Sequence, residues 1–361
     1  MKFAGIIAEY DPFHNGHAWQ LAQAKALGAE RVAVAMSCSL VQRGALPLLP
    51  EAVRTRSALT CGADLVFALP APCACAGAEA FARAGVALLA AAGCDGLVFG
   101  AETPDAALLM EAAELLDSDS YRAALKAQLA GGARSFAAAR QAAAAQLASD
   151  ERVAALLDKP NNNLAVEYCR AIRSLAPRME AYPLPRQGAD HGEALHSAHG
   201  QFASASALRK LWAEGGADAV APYVPEAVFP LYQEAYAAGQ YTDFSAAGRC
   251  ELALLRSACR GKPPFADIRG VSEGLEHRLE AAVRTSTTYD ELLDALTTVR
   301  YPRARMRRLA MDAALGCTAD SLPALPPSLH LLGGKKDALP LFKNCTLPVS
   351  HSLARLRGSG G

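Results

Sequence analysis

The stretch Phe3-Ala4-Gly5-Ile6-Ile7-Ala8-Glu9-Tyr10-Asp11-Pro12-Phe13-His14-Asn15-Gly16-His17 decides the fold. Its first six residues form a short apolar run that stops at an acidic, proline-containing turn. The chain then restarts with helix-compatible residues, which is how the first strand, loop and helix of a parallel sheet read. Residues 31–36, 64–69 and 96–99 repeat the event, with helix-like stretches between them. The runs are nearly continuous rather than alternating, as strands buried on both faces require. We therefore expect an α/β, Rossmann-like parallel sheet with ligand chemistry gathered at the carboxyl ends of its strands.

Outward from this core, residues 105–158 turn to Ala, Leu and scattered charge, the composition of a helical insertion. Pro160-Asn161-Asn162-Asn163 reads as a turn feeding an amphipathic helix to about Leu175, and residues 179–182 offer a last strand. Strand signals stop near Gly215. Residues 244–316 read as helices broken at Gly261-Lys262-Pro263-Pro264 and Tyr301-Pro302, and beyond Cys317 a Pro-, Leu- and Gly-rich segment reads as an ordered arm or a frayed tail. The expected organisation is a nucleotide-binding domain over 1–215 containing the insertion, a helical domain over 216–317 and an arm or tail over 318–361.

The 361 residues carry 36 Lys plus Arg against 36 Asp plus Glu, so any nucleic-acid contact must be a local patch rather than bulk attraction. The longest apolar stretch, residues 84–94, is too short for a bilayer span. The amino-terminal residues lack the long apolar region of a signal peptide, so a cytoplasmic protein without membrane contact is expected. The ten cysteines are scattered, only Cys73 and Cys75 being close, and read as reduced thiols acting as small core hydrophobes rather than a zinc framework.

His14-Asn15-Gly16-His17 sits where the first strand hands over to the first helix. There Gly16 lets the backbone approach a ligand, free helix-start N–H groups favour an anion, and two imidazoles add donors for phosphate oxygens. The plainer alternative is a tight turn shaped by Pro12 and Gly16, with the histidines capping the helix. A second pattern, Phe202-Ala203-Ser204-Ala205-Ser206-Ala207-Leu208-Arg209-Lys210, puts two hydroxyls before a helix, either able to cap it, and a guanidinium one turn in.

Together these patterns resemble the HIGH-type nucleotidyltransferase superfamily. Gly5 to His17, Val41-Gln42-Arg43-Gly44, Asp64-Leu65-Val66-Phe67-Ala68-Leu69-Pro70, Phe99-Gly100-Ala101-Glu102, Pro160-Asn161-Asn162-Asn163-Leu164 and Val271-Ser272-Glu273-Gly274-Leu275-Glu276 look like successive signatures of the bacterial tRNA(Met) cytidine acetate ligases, over about residues 1–316. The resemblance implies a ligase in which ATP activates acetate to acetyl-adenylate. The acetyl group then passes to the exocyclic amine of the wobble cytidine of elongator tRNA(Met), giving N4-acetylcytidine. It further implies that ATP is held by Ile7, Ala8, Glu9, Tyr10, Asp11, Pro12, Phe13, His14, Asn15, Gly16, His17, Ala18, Trp19 and Gln20, with Gly100, Asn161, Asn162, Arg186, Ser204 and Ser206. His14, His17 and Arg209 are implied as the catalytic groups, with Mg²⁺ as a helper but no protein-held metal.

Arg300-Tyr301-Pro302-Arg303-Ala304-Arg305-Met306-Arg307-Arg308 carries five arginines in nine residues and no acid. Guanidinium groups suit phosphates and Tyr301 suits base stacking, so Arg300, Tyr301, Arg303, Arg305, Arg307 and Arg308, joined by Arg43, are the expected tRNA contacts, with no DNA partner. The alternative is a solvated basic face salt-bridged to Asp290-Glu291. Ser37-Cys38-Ser39 stands where the family usually has Ser-Gly-Asn, Asp11 where Asn is usual, and the segment after Gly316 departs from the family's pattern. Two rival functions are an enzyme adenylating a small metabolite and a nucleotide- and RNA-binding protein that has lost catalysis.

Overall fold

The structure, a computed structural model, describes residues 1–133, 135–186, 202–260, 264–321 and 323–358. The chain runs β1 (Phe3–Ala8), α1 (Asn15–Ala26), β2 (Arg31–Ser37), α2 (Glu51–Thr60), β3 (Leu65–Leu69), α3 (Ala71–Ala74), α4 (Ala78–Ala91) and β4 (Gly96–Ala101). Next come α5 (Ala106–Asp117), α6 (Asp119–Ala130), α7 (Phe136–Leu147), α8 (Glu151–Leu156), α9 (Pro160–Leu175) and β5 (Glu180–Pro185). Then follow α10 (Ala205–Val220), α11 (Phe229–Ala237), α12 (Phe244–Ala258), α13 (Leu275–Thr285), α14 (Tyr289–Leu296), α15 (Arg303–Leu315), β6 (Leu329–Gly334), β7 (Val349–Ser350) and α16 (Leu353–Gly358).

The described strands form one seven-stranded sheet in the order β5-β4-β1-β2-β3-β6-β7, and β1 to β5 pair in parallel. Successive side chains go to opposite faces. Phe3, Ala33, Ala35, Leu65, Phe67, Leu97 and Phe99 pack under α4, α5 and α9, whereas Ala4, Ile6, Val32, Val34, Met36, Val66 and Val98 pack under α1, α2, α10 and α11. Both faces are covered, which is why the strands read as unbroken apolar runs. Full burial of a side chain such as Ile6 stabilises the fold by about 1.5–3 kcal/mol. Because β1 lies between β2 and β4, the order reverses there and opens a crevice at the carboxyl ends of β1 and β4.

Three sequence expectations change. Pro160 to Asn163 is the first turn of α9 itself, with proline at the position where a missing N–H is harmless. The division near 215–216 falls inside α10 at a kink, Gly216 taking a φ of 67°, and Ala217, Val220, Val224, Val228 and Tyr232 join the core beneath the sheet. The helices with a core of their own are α12 to α15, around Leu255, Leu279, Leu292, Leu293, Leu296 and Met306. Finally, strands do not stop near 215: β6 pairs antiparallel with β3, Leu65 opposite Gly334 and Val66 opposite Gly333. Lys335 donates its amide to the Asp64 carbonyl at 2.9 Å and sets its ammonium 3.5 Å from the Asp64 carboxylate, which also pairs with Lys25 and Arg31. The segment expected as an arm or a tail is thus tied to the sheet edge. The expected break at Gly261 to Pro263 and the final residues 359–361 lie outside the described residues.

Among the described residues no helix is long and apolar enough to cross a membrane, and no three His, Cys, Asp or Glu side chains are grouped to hold a metal ion. Of the ten free cysteines, Cys38, Cys75, Cys94 and Cys169 are buried, and burial pushes the Cys75 and Cys169 thiols up to about 12.

Candidate active site

A cleft of about 600 Å³ opens at the crevice between the carboxyl ends of β1 and β4. Its floor is Ile7 to Asp11, Phe99 and Gly100. One wall is the start of α1, with His14, Gly16, His17, Trp19 and Gln20; another is the end of β5 and the start of α10, with Arg186, Ser204, Ser206 and Arg209. Asn161, Leu164 and Tyr168 of α9 close one side, and Gln42, Arg43, Ala304 and Arg308 the other.

The turn into α1 is tightly determined. Tyr10, fully buried, takes a left-handed φ of 49°, a conformation usually costing a non-glycine residue about 1–3 kcal/mol. His14 caps α1: its Nδ1 accepts the Gly16 amide at 3.1 Å, while the His14 amide donates to His17 Nδ1 at 3.3 Å. The rings stack with centroids 3.8 Å apart, and the Tyr10 ring meets His17 edge-on at 4.8 Å. A Cβ on Gly16 would stand 2.9 Å from His14 Cε1, so the glycine makes room for the stack. Burial, helped by Arg186 and Arg209, holds His14 down at about 3, and burial with His14 and Arg186 keeps His17 well below its ordinary value. Both rings are neutral at pH 7. With each Nδ1 accepting a backbone N–H, the proton sits on Nε2, so each ring offers a donor.

Ser204 caps α10, accepting the Ala207 amide at 3.3 Å, with Ser206 Oγ 3.0 Å from its own hydroxyl in the first turn. Arg209 Nη1 donates to the Asp11 carbonyl at 2.6 Å and lies 3.4 Å from the Asp11 carboxylate. Burial, reinforced by Arg43, lowers Arg209 to about 10, which leaves it charged at neutral pH. Asp11 is itself buried, and its carboxylate accepts from the Leu48 amide and from Arg43. Two helix starts, two neutral imidazole donors and the guanidinium groups of Arg43 and Arg209, which meet at Asp11, form a setting suited to an anion, and Arg186 and Arg308 also line the cleft. Gly100 lines its floor, where a Cβ would stand 3.6 Å from Arg186 Cγ.

Not every expected contact reaches the cleft. Pro12, Phe13, Asn15 and Ala18 are not among the residues lining it; Phe13 is buried and its carbonyl accepts the Tyr232 hydroxyl at 2.7 Å. Asn161 lines the cleft, but Asn162 is buried beside it and works within the protein. Its amide donates to Glu102 Oε2 at 2.6 Å, and its side chain trades hydrogen bonds with Thr103 at 2.9 and 3.1 Å. Of the residues expected on an RNA surface, Arg43 and Arg308 instead form part of the cleft wall. Arg43 bridges Asp11 and the Phe244 ring, and Arg308 donates to the Gln42 carbonyl at 3.1 Å. Arg303 pairs with Asp290, as the salt-bridged alternative has it, and with Asp294, whereas Arg300 pairs with Glu273 outside that acidic segment. Arg305 lies 5.0 Å over the Tyr301 ring at the protein surface.

Sequence reasoning missed Arg54. Fully buried, it donates from Nε to the Leu49 carbonyl at 3.0 Å and from Nη1 to the Glu9 and Ser37 carbonyls at 2.8 and 2.6 Å, and from Nη2 to that of Cys38. One side chain thereby ties the ends of β1 and β2 together under the cleft. The available signal was a charged residue one turn before buried Ala58, on the inner face of α2. Gln42 and Tyr168 were missed as lining residues because they come from separate loops and helices.

The chain matches the HIGH Nucleotidyl Transferase family over residues 1–352, so the segment after Gly316 follows the family pattern, contrary to expectation. It is 35% identical to the tRNA(Met) cytidine acetate ligase of Syntrophotalea carbinolica, over 99% of this chain and 86% of that one. It is 32% identical to that of Acetivibrio thermocellus, over 98% and 89%. Thermotoga maritima TmcAL bound with alpha-thio ATP superposes with a TM-score of 0.89 at 27% identity, over 99% of this chain and 87% of that one; the apo form gives 0.92 at 28%. The chain belongs to the HIGH nucleotidyl transferase family and, within it, to the tRNA(Met) cytidine acetate ligases.

Proposed function

We propose that the protein uses ATP to activate acetate as acetyl-adenylate and transfers the acetyl group to N4 of the wobble cytidine of elongator tRNA(Met), in the cytoplasm. The observation that carries this reading is the pairing, in one cleft, of a phosphate-type anion site with the arginine-bearing start of α15. The triphosphate lies along the starts of α1 and α10, with adenosine toward Gly100 and Arg186. An acetate oxygen attacks the α-phosphorus, and pyrophosphate leaves. Nε2–H of His14 and His17 and the Arg209 guanidinium stabilise the charge that builds on the phosphate oxygens.

No covalent enzyme intermediate is needed. Holding the mixed anhydride against the amine supplies much of the second step, since well-placed pairs reach effective molarities of about 10⁵–10⁸ M. Arg305, Arg307 and Tyr301 carry RNA backbone and base contacts outside the cleft. The Asp11 carboxylate is engaged by Arg43, Arg209 and the Leu48 amide. Mg²⁺ would travel on the nucleotide's phosphate oxygens and water.

Acetate-dependent exchange of pyrophosphate into ATP, followed by acetyl transfer to tRNA(Met), tests the reading. Exchange that requires a different acid or a phosphate ester would replace acetate as the substrate, and absence of exchange despite nucleotide binding would remove the activity altogether.

A further inference from the structure

We propose that Glu9 is the general base of the acyl-transfer step, taking the proton that the cytosine amine sheds as it bonds to the acetyl carbon; this rests on the reaction proposed above. Glu9 is the first residue beyond β1 and lines the cleft. Its place is fixed from two sides: Arg54 holds its carbonyl at 2.8 Å, and the Gln42 amide donates to Oε1. Gln42 in turn accepts from Arg308 of α15. The carboxylate therefore stands where the cleft floor at the end of β1 meets the wall carrying Gln42 and Arg308.

The other groups nearby are excluded by their bonding. Both oxygens of Asp11 are engaged, by the Leu48 amide and by Arg43 and Arg209. His14 and His17 already use Nδ1 as an acceptor and carry their proton on Nε2. Glu102 is saturated by Asn161 and Asn162. Among the described residues, Oε2 of Glu9 accepts no hydrogen bond. The charged and titratable groups around it are Asp11 on the same loop, Arg43 after β2, Arg54 on α2, Tyr168 on α9 and Arg209 on α10. Burial raises the carboxyl above its ordinary value, against the pull of Arg43 and Arg209, which moves its basicity toward neutral pH.

In the step, the N4 lone pair adds to the acetyl carbon and forms the C–N bond. One N4 proton moves to Glu9 Oε2. The tetrahedral adduct then breaks its C–O bond to phosphorus, and AMP leaves with that electron pair; Glu9 returns the proton to water.

The test supplies chemically prepared acetyl-adenylate and tRNA(Met) to the full chain and follows single-turnover acetylcytidine formation from pH 5 to 9. Glu9→Gln is expected to slow transfer by about 10²–10⁴-fold and to lose the rise in rate on the acid side of the profile. Glu9→Asp is expected to keep that rise, displaced in pH, with a smaller loss. Transfer by Glu9→Gln within threefold of wild type, or slowed with the acid-side rise intact, overturns the proposal. Should Glu9→Gln not fold, Glu9→Asp decides alone: a displaced rise supports the assignment and an unmoved one overturns it. Failure of the wild-type enzyme to transfer at all would instead refute the underlying reaction, and the base assignment with it.

Discussion

A Cβ on Gly44 would stand 2.6 Å from the amide nitrogen of Arg308, so the loop after β2 and helix α15 meet backbone to backbone. Gly44 also takes a φ of 75°, where L side chains are strained. This contact, with Arg269 donating to the carbonyls of Pro72 and Cys75 at 2.6 and 2.7 Å while paired to Asp312, seats the α12–α15 unit on the sheet. It is what brings Ala304 and Arg308 into the cleft.

Gly44→Ala should therefore loosen that seat. Overpacking of this kind costs about 1–3 kcal/mol, and the expected signature is a lowered Tm together with a larger loss in acetyl transfer to tRNA than in pyrophosphate exchange. Equal losses in the two half-reactions would speak against a docking role.

Replacement of His14 or His17 by Ala should abolish adenylate formation while circular dichroism reports a retained fold. Exchange at wild-type rate in either variant would refute the assignment of both imidazoles to the phosphates.

The same histidines predict a pH dependence. Their folded values lie below the unfolded value near 6.5, so the unfolded chain takes up protons first as pH falls. Stability is therefore lost between about pH 6.5 and the low folded values, near 3 for His14, at up to about 1.4 kcal/mol per pH unit for each ring. Thermal unfolding from pH 7 to 4 should show that slope, and His14→Asn, which keeps a capping side chain without a titrating group, should reduce it by about half, His17 supplying the rest.

Arg54→Met should be among the most damaging substitutions outside the cleft lining. It strands the carbonyls of Leu49, Glu9, Ser37 and Cys38, and hydrogen bonds to a charged group contribute about 1.5–3 kcal/mol each before losses overlap. Urea denaturation should register a loss above about 3 kcal/mol, with nucleotide affinity falling alongside.

On the RNA side, Arg305→Ala with Arg307→Ala should weaken tRNA binding and make its salt dependence shallower, by up to about two in the log–log slope. Arg303→Ala should do much less, since that guanidinium is already paired with Asp290 and Asp294. Filter binding across a salt series separates the two cases.

The five parallel strands and the His14-to-His17 turn were legible because each is a local event. An apolar run long enough to bury both faces, and a cap and a turn made within four residues, need no distant partner to be recognised. Strand β6, held between β3 and β7, was not legible: it ends in two glycines and draws its pairing from β3 some 265 residues earlier.

By itself, then, the amino-acid order determined the five parallel strands, the helical insertion and the capped starts of α1 and α10, because hydrophobic periodicity and capping act over a few residues. Only the folded chain decided that Arg43 and Arg308 line the cleft, that Asn162 bonds inward, that Arg303 is spent on acids, and that no described residue donates a hydrogen bond to Oε2 of Glu9. Those outcomes depend on which donors and acceptors meet across long separations, and burial then makes each pairing costly to leave unmade.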